Sequence, residues 1–208
     1  LPTNSAIPYI HQYENGESPK LETLAWAMPN GWMWQIPTQE RYGCGYVYSD
    51  NHTTYDKAVD ELIKTLGKNV EPLRNIKFDC GRVETPWIKN VVAIGLAQGF
   101  VEPLEASSIG TSIQQSFLLM QKLINYDDTT IDDYNISVNC IMENIRDVIV
   151  LHYITNKSNT EFWKDVRSID LPDSLKSNLD KWRYRLPVSE DFNTVPELFV
   201  TDGYGFRK

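Results

Sequence analysis

The sequence predicts an α+β fold, a mixed sheet followed by helices. In the first half, apolar residues alternate with period two and are punctuated by Pro, Gly and polar turns. In the second half they recur at helical spacing. No internal repeat or low-complexity linker interrupts that order, and strands followed by helices are the α+β pattern. With 208 residues, 41% of them hydrophobic, the chain can bury one substantial core or two small ones. We divide it at residue 95, into a sheet-rich portion, 1–95, and a helical portion, 96–208.

Leu21 to Met28 is an apolar run bounded by Pro19 and Pro29-Asn30-Gly31, and reads as a strand. Gly31 to Pro37 (GWMWQIP) and Gly43 to Ser49 flank the polar turn Gln39 to Gly43, a hairpin pattern. Alternate strand residues share a face, so Trp32, Trp34 and Ile36 point one way and Met33 and Gln35 the other. Tyr46 and Tyr48 share a face of the partner strand. Two indoles so placed read first as large core residues on a sheet face. Tyr55 to Leu66 is a short amphipathic helix opened by Thr53-Thr54 and stopped by Gly67. Asn75 to Gly81 alternates, with Ile76 and Phe78 on one side. Asn90 to Gly95 (NVVAIG) reads as a fully buried strand.

A long helix is expected from Ser107 or Ser108 to about Asn125, with Ile109, Ile113, Phe117, Met120 and Ile124 at helical spacing. A second, from Ile136 to Thr155, puts Ile141, Ile145, Val148, Ile149 and His152 on one stripe, where His152 reads as a packed core residue. Leu171-Pro172 opens a third, ending near Tyr184. The acidic run YDDTTIDDY, Tyr126 to Tyr134, lacks the glycine and terminal glutamate of a calcium loop and reads as a solvated connection.

The net charge of −8 argues against nucleic acid and anionic membrane surfaces as partners. No apolar run reaches the roughly 20 residues that span a bilayer. Cys44, Cys80 and Cys140 are odd in number and far apart, which suits a reduced cytoplasmic compartment. The chain begins at Leu1 with no visible signal peptide, as expected of a processed chain or a piece of a longer one. His11, His52 and His152 lack zinc-ligand spacing, and no metal site is expected. There is no G-x-S-x-G elbow and no P-loop; Gly43/Gly45 and Gly95/Gly99 lack the third glycine of a dinucleotide fingerprint.

One stretch stands apart. Asn90 to Gly110 (NVVAIGLAQGFVEPLEASSIG) runs from an apolar strand through Gly95 and Gly99 to Glu102-Pro103-Leu104-Glu105 and a serine-started helix. Amides at a helix N-terminus bind anions, and glycines let a ligand approach the backbone. Serine caps and first-turn carboxylates are also ordinary helix starts, and local physics alone favours that plainer reading.

Taken together, GWMWQIP, Gly45-Tyr46-Val47-Tyr48-Ser49 and NVVAIGLAQGFVEPLEASSI resemble the signature segments of flavin-dependent tryptophan halogenases. That family carries W-x-W-x-I-P, then G-Y-V-Y-S, then N-x-V-x-I-G-L-x-x-x-F-x-E-P-L-E-x-T/S. Ile76 to Arg82, Trp87 to Asn90, Ile145 to Tyr153 and Phe162 to Asp165 are also similar to it, so the matches extend from the first residues to about Arg183. The resemblance implies an FAD monooxygenase fold of the hydroxybenzoate hydroxylase type with an added helical region. The family's N-terminal G-x-G-x-x-G and its essential lysine do not occur in these 208 residues. The match is to the central and C-terminal portion of a halogenase, and this stretch alone is not expected to halogenate.

The resemblance further implies that reduced FAD, supplied by a partner flavin reductase, and oxygen convert a halide, chloride or bromide, to hypohalous acid. This travels through a short tunnel to a small electron-rich aromatic, an indole, pyrrole or phenol. Glu105 matches the family's catalytic glutamate, and a carboxylate there can orient the halogenating species or take the proton of the cationic ring intermediate. Ser107 and Ser108 fall where the family presents backbone amides to the halide, with Ser-Ser in place of the usual Thr-Gly. Gly95, Leu96, Pro103, Ser108 and Ile109 would line the flavin, while Glu102 is assigned a structural role. Trp32, Trp34, Ile36 and Pro37 would form the wall between the flavin and substrate sides. Phe192 to Lys208 does not match the family's aromatic lid. A homodimer is admitted. Three other readings stay open: a related flavin monooxygenase or reductase without halide chemistry, a non-catalytic aromatic- or carbohydrate-binding module with the indoles as its platform, and a structural or interaction fragment.

Overall fold

The computed structural model describes residues 1–14 and 16–192. In chain order it contains β1 (Ser5–Gln12), β2 (Leu24–Met28), β3 (Gly31–Pro37), β4 (Arg41–Tyr48), α1 (Tyr55–Leu66), β5 (Ile76–Lys77), β6 (Gly81–Arg82), β7 (Trp87–Ile88), β8 (Val91–Val92), β9 (Gly99–Phe100), α2 (Ser107–Ile124), α3 (Thr130–Tyr153), α4 (Glu161–Arg167) and α5 (Asp173–Trp182). This is the α+β class that the sequence predicts, but the expected mixed sheet is corrected to an antiparallel one, because the pairings among the described strands are all antiparallel. The chain forms two compact units: a sheet unit, residues 2–79 with 155–169, and a helical unit, residues 80–154 with the described residues from 170 onward. Residue 95, where the sequence reading drew its boundary, lies inside the helical unit.

The sheet unit is a five-stranded sheet in the order β2-β3-β4-β1-β5, and all its pairings are antiparallel. The face bearing Met33, Cys44, Tyr46 and Tyr48 is packed, with Ile7 and Tyr9 of β1, against Ala58 and Leu62 of α1. Each such side chain taken fully from water contributes about 1.5–3 kcal/mol. The polar end of the Tyr46 side chain stays satisfied by donating to Glu61 Oε2 at 2.7 Å. Thr54 caps α1 by accepting from the Lys57 amide, and Gly67 closes it in the left-handed conformation, as the sequence predicts. α4 belongs to this unit because Trp163 Nε1 donates to the Met28 carbonyl at 2.8 Å and Thr160 Oγ1 to that of Pro29 at 2.6 Å.

The tryptophans are on the other face. Trp32 pairs with Val47, Trp34 with Gly45 and Ile36 with Gly43, while Met33 pairs with Tyr46. The plain core reading of the indoles holds for Trp32 and not for Trp34, while the cluster packed against α1 is on the Met33 side. Trp32 is buried, Trp34 half-buried and Ile36 exposed. Trp34 lies over Gly45, where an added Cβ would sit 2.0 Å from its Cη2 atom. The two indole centroids are 5.9 Å apart with planes tilted by 50°.

β1 has no counterpart in the sequence reading, and it contains Pro8 although proline argues against a central strand. The Leu73 amide donates to the Pro8 carbonyl. A strand residue's N–H and C=O point to the same side, so the missing N–H of Pro8 faces the Leu73 side and removes no bond to β4. The Asn75–Gly81 strand is reduced to β5 and the first residue of β6. α4 is also unpredicted, being only seven residues long.

In the helical unit, the predicted buried strand Asn90 to Gly95 is instead one arm of a two-residue hairpin, β7 with β8. Val91 is 66% exposed, so the apolar run does not mark burial. Asn135 of α3 fixes the hairpin by accepting from the Trp87 amide and donating to the Trp87 carbonyl, at 2.7 and 3.0 Å. Trp87, Leu118, Tyr134 and Val138 form the core beside it. α3 starts six residues before its predicted N-terminus. Asp127 accepts from the Thr129 amide and from the Thr129 and Thr130 hydroxyls, and those bonds hold its carboxyl below the usual range. The acidic run is thus a helix start, with Asp132 and Asp133 in the first turn where the helix dipole favours them. Ile109, Ile113, Phe117, Met120 and Ile124 of α2 are exposed, and its buried side is Thr111, Gln115 and Leu118. Among the described residues no helix is long and apolar enough to cross a membrane.

Candidate active site

The segment from Gly95 to Ser108 is held by α2 on one side and the end of α3 on the other. Gly95 has φ of +62°, a conformation that costs glycine nothing, and an added Cβ would come within 2.8 Å of Ser112 Oγ. Its amide donates to Gln115 Oε1 at 2.8 Å, and Gln115 Nε2 donates to Gln98 Oε1 at 3.1 Å. This explains the polar residue on the buried side of α2: Gln115 replaces core apolar packing with two bonds to the glycine loop. Gln98 is 1% exposed and its Nε2 has no partner among the described residues. A buried amide donor beside a glycine cradle fits a polar ligand group there.

After the loop, Glu102 is buried and accepts from the Tyr153 hydroxyl. Leu104 is buried, and the three-residue turn Leu104–Ala106 drives Glu105 outward. Glu105 and Ala106 have φ of +64° and +47°. Two consecutive non-glycine residues in the left-handed region carry about 1–3 kcal/mol of strain each. Ser107 and Ser108 then open α2. They do not cap it: Ala106 holds the cap position and makes no side-chain bond. Their place at the positive end of an 18-residue helix suits an anion. A cavity of about 10 Å³, room for one water-sized occupant, is lined by Gly95, Gly99, Val101, Ser107, Ser108, Thr111 and Met142.

His152 is not the core residue its stripe implied. Its side chain is 41% exposed, and Nε2 lies 3.2 Å from Glu105 Oε1. The adjacent Tyr153 faces inward, so the end of α3 reaches both glutamates of the turn. Periodicity could not reveal this, because the partners are 47 positions apart and meet only through the fold. The buried contact of Glu102 with Tyr153 accords with the structural role assigned to it. Tyr153→Phe should lower unfolding stability by about 1–3 kcal/mol, since it withdraws a donor from a buried carboxylate; urea denaturation measures it.

The other sequence-derived residues divide clearly. Gly95, Ser107 and Ser108 meet at the cavity. Leu96 and Ile109 are largely exposed and Pro103 half-buried, all in the same segment. Trp32, Trp34, Ile36 and Pro37 belong to the sheet unit. The lid comparison concerns residues that, from 193 on, lie outside the described ones.

Comparison with known proteins gives the family of the chain. The family model described as tryptophan halogenase matches residues 1–205. The chain is 32% identical over 190 residues to the tryptophan 6-halogenase ThaL of Streptomyces albogriseolus, covering 89% of this chain and 35% of that protein. It superposes on a tryptophan halogenase from Shewanella frigidimarina NCIMB 400 with a TM-score of 0.85 and 34% identity, covering 95% of this chain and 40% of that one. For BrvH, a flavin-dependent halogenase from Brevundimonas sp. BAL3, the values are 0.83 and 32%, covering 94% and 41%. The chain thus spans about a third of the length of the curated relatives it matches.

Proposed function

The chain belongs to the tryptophan halogenase family, and from that premise we propose that it serves FAD-dependent halogenation of an electron-rich aromatic: an indole, pyrrole or phenol. The observation that carries this reading is Glu105, presented outward from a left-handed turn next to a water-sized cavity at the start of α2. When bound, reduced FAD supplies, with oxygen, the oxidising power that turns a halide into hypohalous acid. Gly95, Leu96, Pro103, Ser108 and Ile109 would hold the flavin at this segment; the Gly95 cradle and the buried Gln98 amide support that fit. The amides of Ser107 and Ser108 would hold the halide.

At the substrate, a carbon–halogen bond forms as the oxygen–halogen bond of hypohalous acid breaks. The ring carbon then gives its proton to the Glu105 carboxylate, which passes it to the departing hydroxide to yield water. Trp32, Trp34, Ile36 and Pro37 would wall the flavin side from the substrate side. In this functional division, 1–95 supplies the wall and 96–208 the flavin and halide turn. We assign the fold to the hydroxybenzoate hydroxylase type of FAD monooxygenase, with a flavin reductase as the transient supplier and a homodimer as the allowed assembly. A cytoplasmic setting accords with three free cysteines.

Mass spectrometry tests the proposal. The complete enzyme, given FAD, a flavin reductase and an aromatic panel, should add chlorine or bromine according to the halide supplied. Absence of any halide-dependent product overturns it, and a gain of oxygen alone points to the monooxygenase reading. Burial of Trp32 weighs against an aromatic-binding platform.

A further inference from the structure

We propose that His152 is a positioning residue for Glu105, an inference that rests on the role given to Glu105 above. The geometry assigns its tautomer. His152 Nδ1 lies 2.7 Å from the Val148 carbonyl, and a carbonyl only accepts, so Nδ1 carries a proton. In a neutral ring of that tautomer, Nε2 would turn its lone pair on Glu105 Oε1 at 3.2 Å, which repels a carboxylate. The contact is attractive when the imidazole Nε2 carries a proton toward Glu105, the state that leaves Glu105 a carboxylate able to take the ring proton. His152 is therefore fixed at one nitrogen by its own helix and spends the other on Glu105.

Three features make this an orienting contact more than a stabilising one. Both side chains are substantially exposed, 41% for His152 and 51% for Glu105, and an ion pair in water contributes little to folding. The backbone at Glu105 and Ala106 is held in the left-handed region, which aims the side chain at a cost in strain. Tyr153, the next residue of α3, holds Glu102 three positions before Glu105, so one helix end fixes both ends of the turn. With Oε1 engaged by His152, Oε2 is the oxygen left to receive the ring proton. The proton moves from ring carbon to Oε2, and the His152 proton stays where it is.

The test uses the complete enzyme labelled with 15N at histidine. The His152 spectrum should show a protonated Nδ1 in the wild type. In Glu105→Gln its Nε2 resonance should move while the resonances of His11 and His52 stay in place. A bare Nδ1, or an Nε2 resonance indifferent to Glu105→Gln, overturns the contact. In turnover, His152→Phe should lower kcat by about 10–100-fold with KM little changed, the scale of losing an outer partner of a catalytic group. His152→Gln, which keeps a donor near the Nε2 position, should recover part of that loss. If Glu105→Gln is inactive but His152→Phe turns over like the wild type, the positioning role alone falls. A fully active Glu105→Gln removes the role of Glu105 and, with it, this inference, whatever the spectra show.

Discussion

Glu105→Gln should reduce halogenation by about 10²–10⁴-fold, the usual worth of a positioned general base, while FAD binding is retained. Glutamine has nearly the shape of glutamate and can still accept hydrogen bonds, but it cannot take the ring proton. Because the two side chains have nearly the same volume, the exchange opens no cavity and leaves the left-handed turn to its buried neighbours Glu102 and Leu104. Product formation by mass spectrometry, flavin binding by fluorescence titration and the thermal midpoint together separate loss of chemistry from loss of fold. A variant that halogenates at the wild-type rate removes Glu105 from the reaction. If flavin affinity is lost as well, the carboxylate is instead part of the cofactor site.

The candidate site residues Gly95, Glu105, Ser107 and Ser108 come from one 14-residue segment, so the family resemblance can point to them together, although local physics alone favours a plain helix start. Glu102 is assigned a structural role beside the residues that the resemblance places at the flavin, and its burial against Tyr153 accords with that. His152 was misread because helical periodicity ranks residues by the company they keep along one helix. It cannot register a carboxylate arriving from another element. In α2 the helix itself is where the spacing predicts it, but the five apolar residues at helical spacing mark a face that is exposed in this chain, whereas the polar Gln115 is buried and bonded to Gly95 and Gln98. Amphipathicity predicts which residues share a face, and the fold decides which face is covered.

The strands show the same limit. Period two correctly put Trp32, Trp34 and Ile36 together and Met33 opposite. It could not choose between the faces, because both are apolar. The choice was made by α1, whose Ala58 and Leu62 pack on the Met33 side. β1 has no counterpart in the sequence reading, and it tolerates Pro8 because the absent N–H falls on the side away from β4. Asn90 to Gly95 failed in the opposite sense, since a run of apolar residues was equated with burial that the hairpin does not provide.

The tryptophan face carries the second large expectation. Trp32→Ala combined with Trp34→Ala should lower aromatic product per reduced flavin consumed by up to about 10²-fold, the scale of loss when a reacting species is misplaced by an ångström or more. Hypohalous acid trapped free in solution should rise in the same assay. The rate of flavin oxidation should hold, because neither indole is assigned to the flavin chemistry. Removing Trp32 also removes a buried side chain, and a buried Trp→Ala change costs about 3–5 kcal/mol, so the double variant has a stability confound. Gly45→Ala avoids deleting any ring. Its new methyl carbon would lie 2.0 Å from Trp34 Cη2, an overlap that only movement of the indole or the strand can relieve, at about 1–3 kcal/mol. If the indoles partition the site, displacing Trp34 by one atom's width should uncouple halogenation in the same direction as deleting it, to a smaller extent. Should both variants keep wild-type coupling while folding normally, the tryptophans are packing residues of the sheet and the wall lies elsewhere.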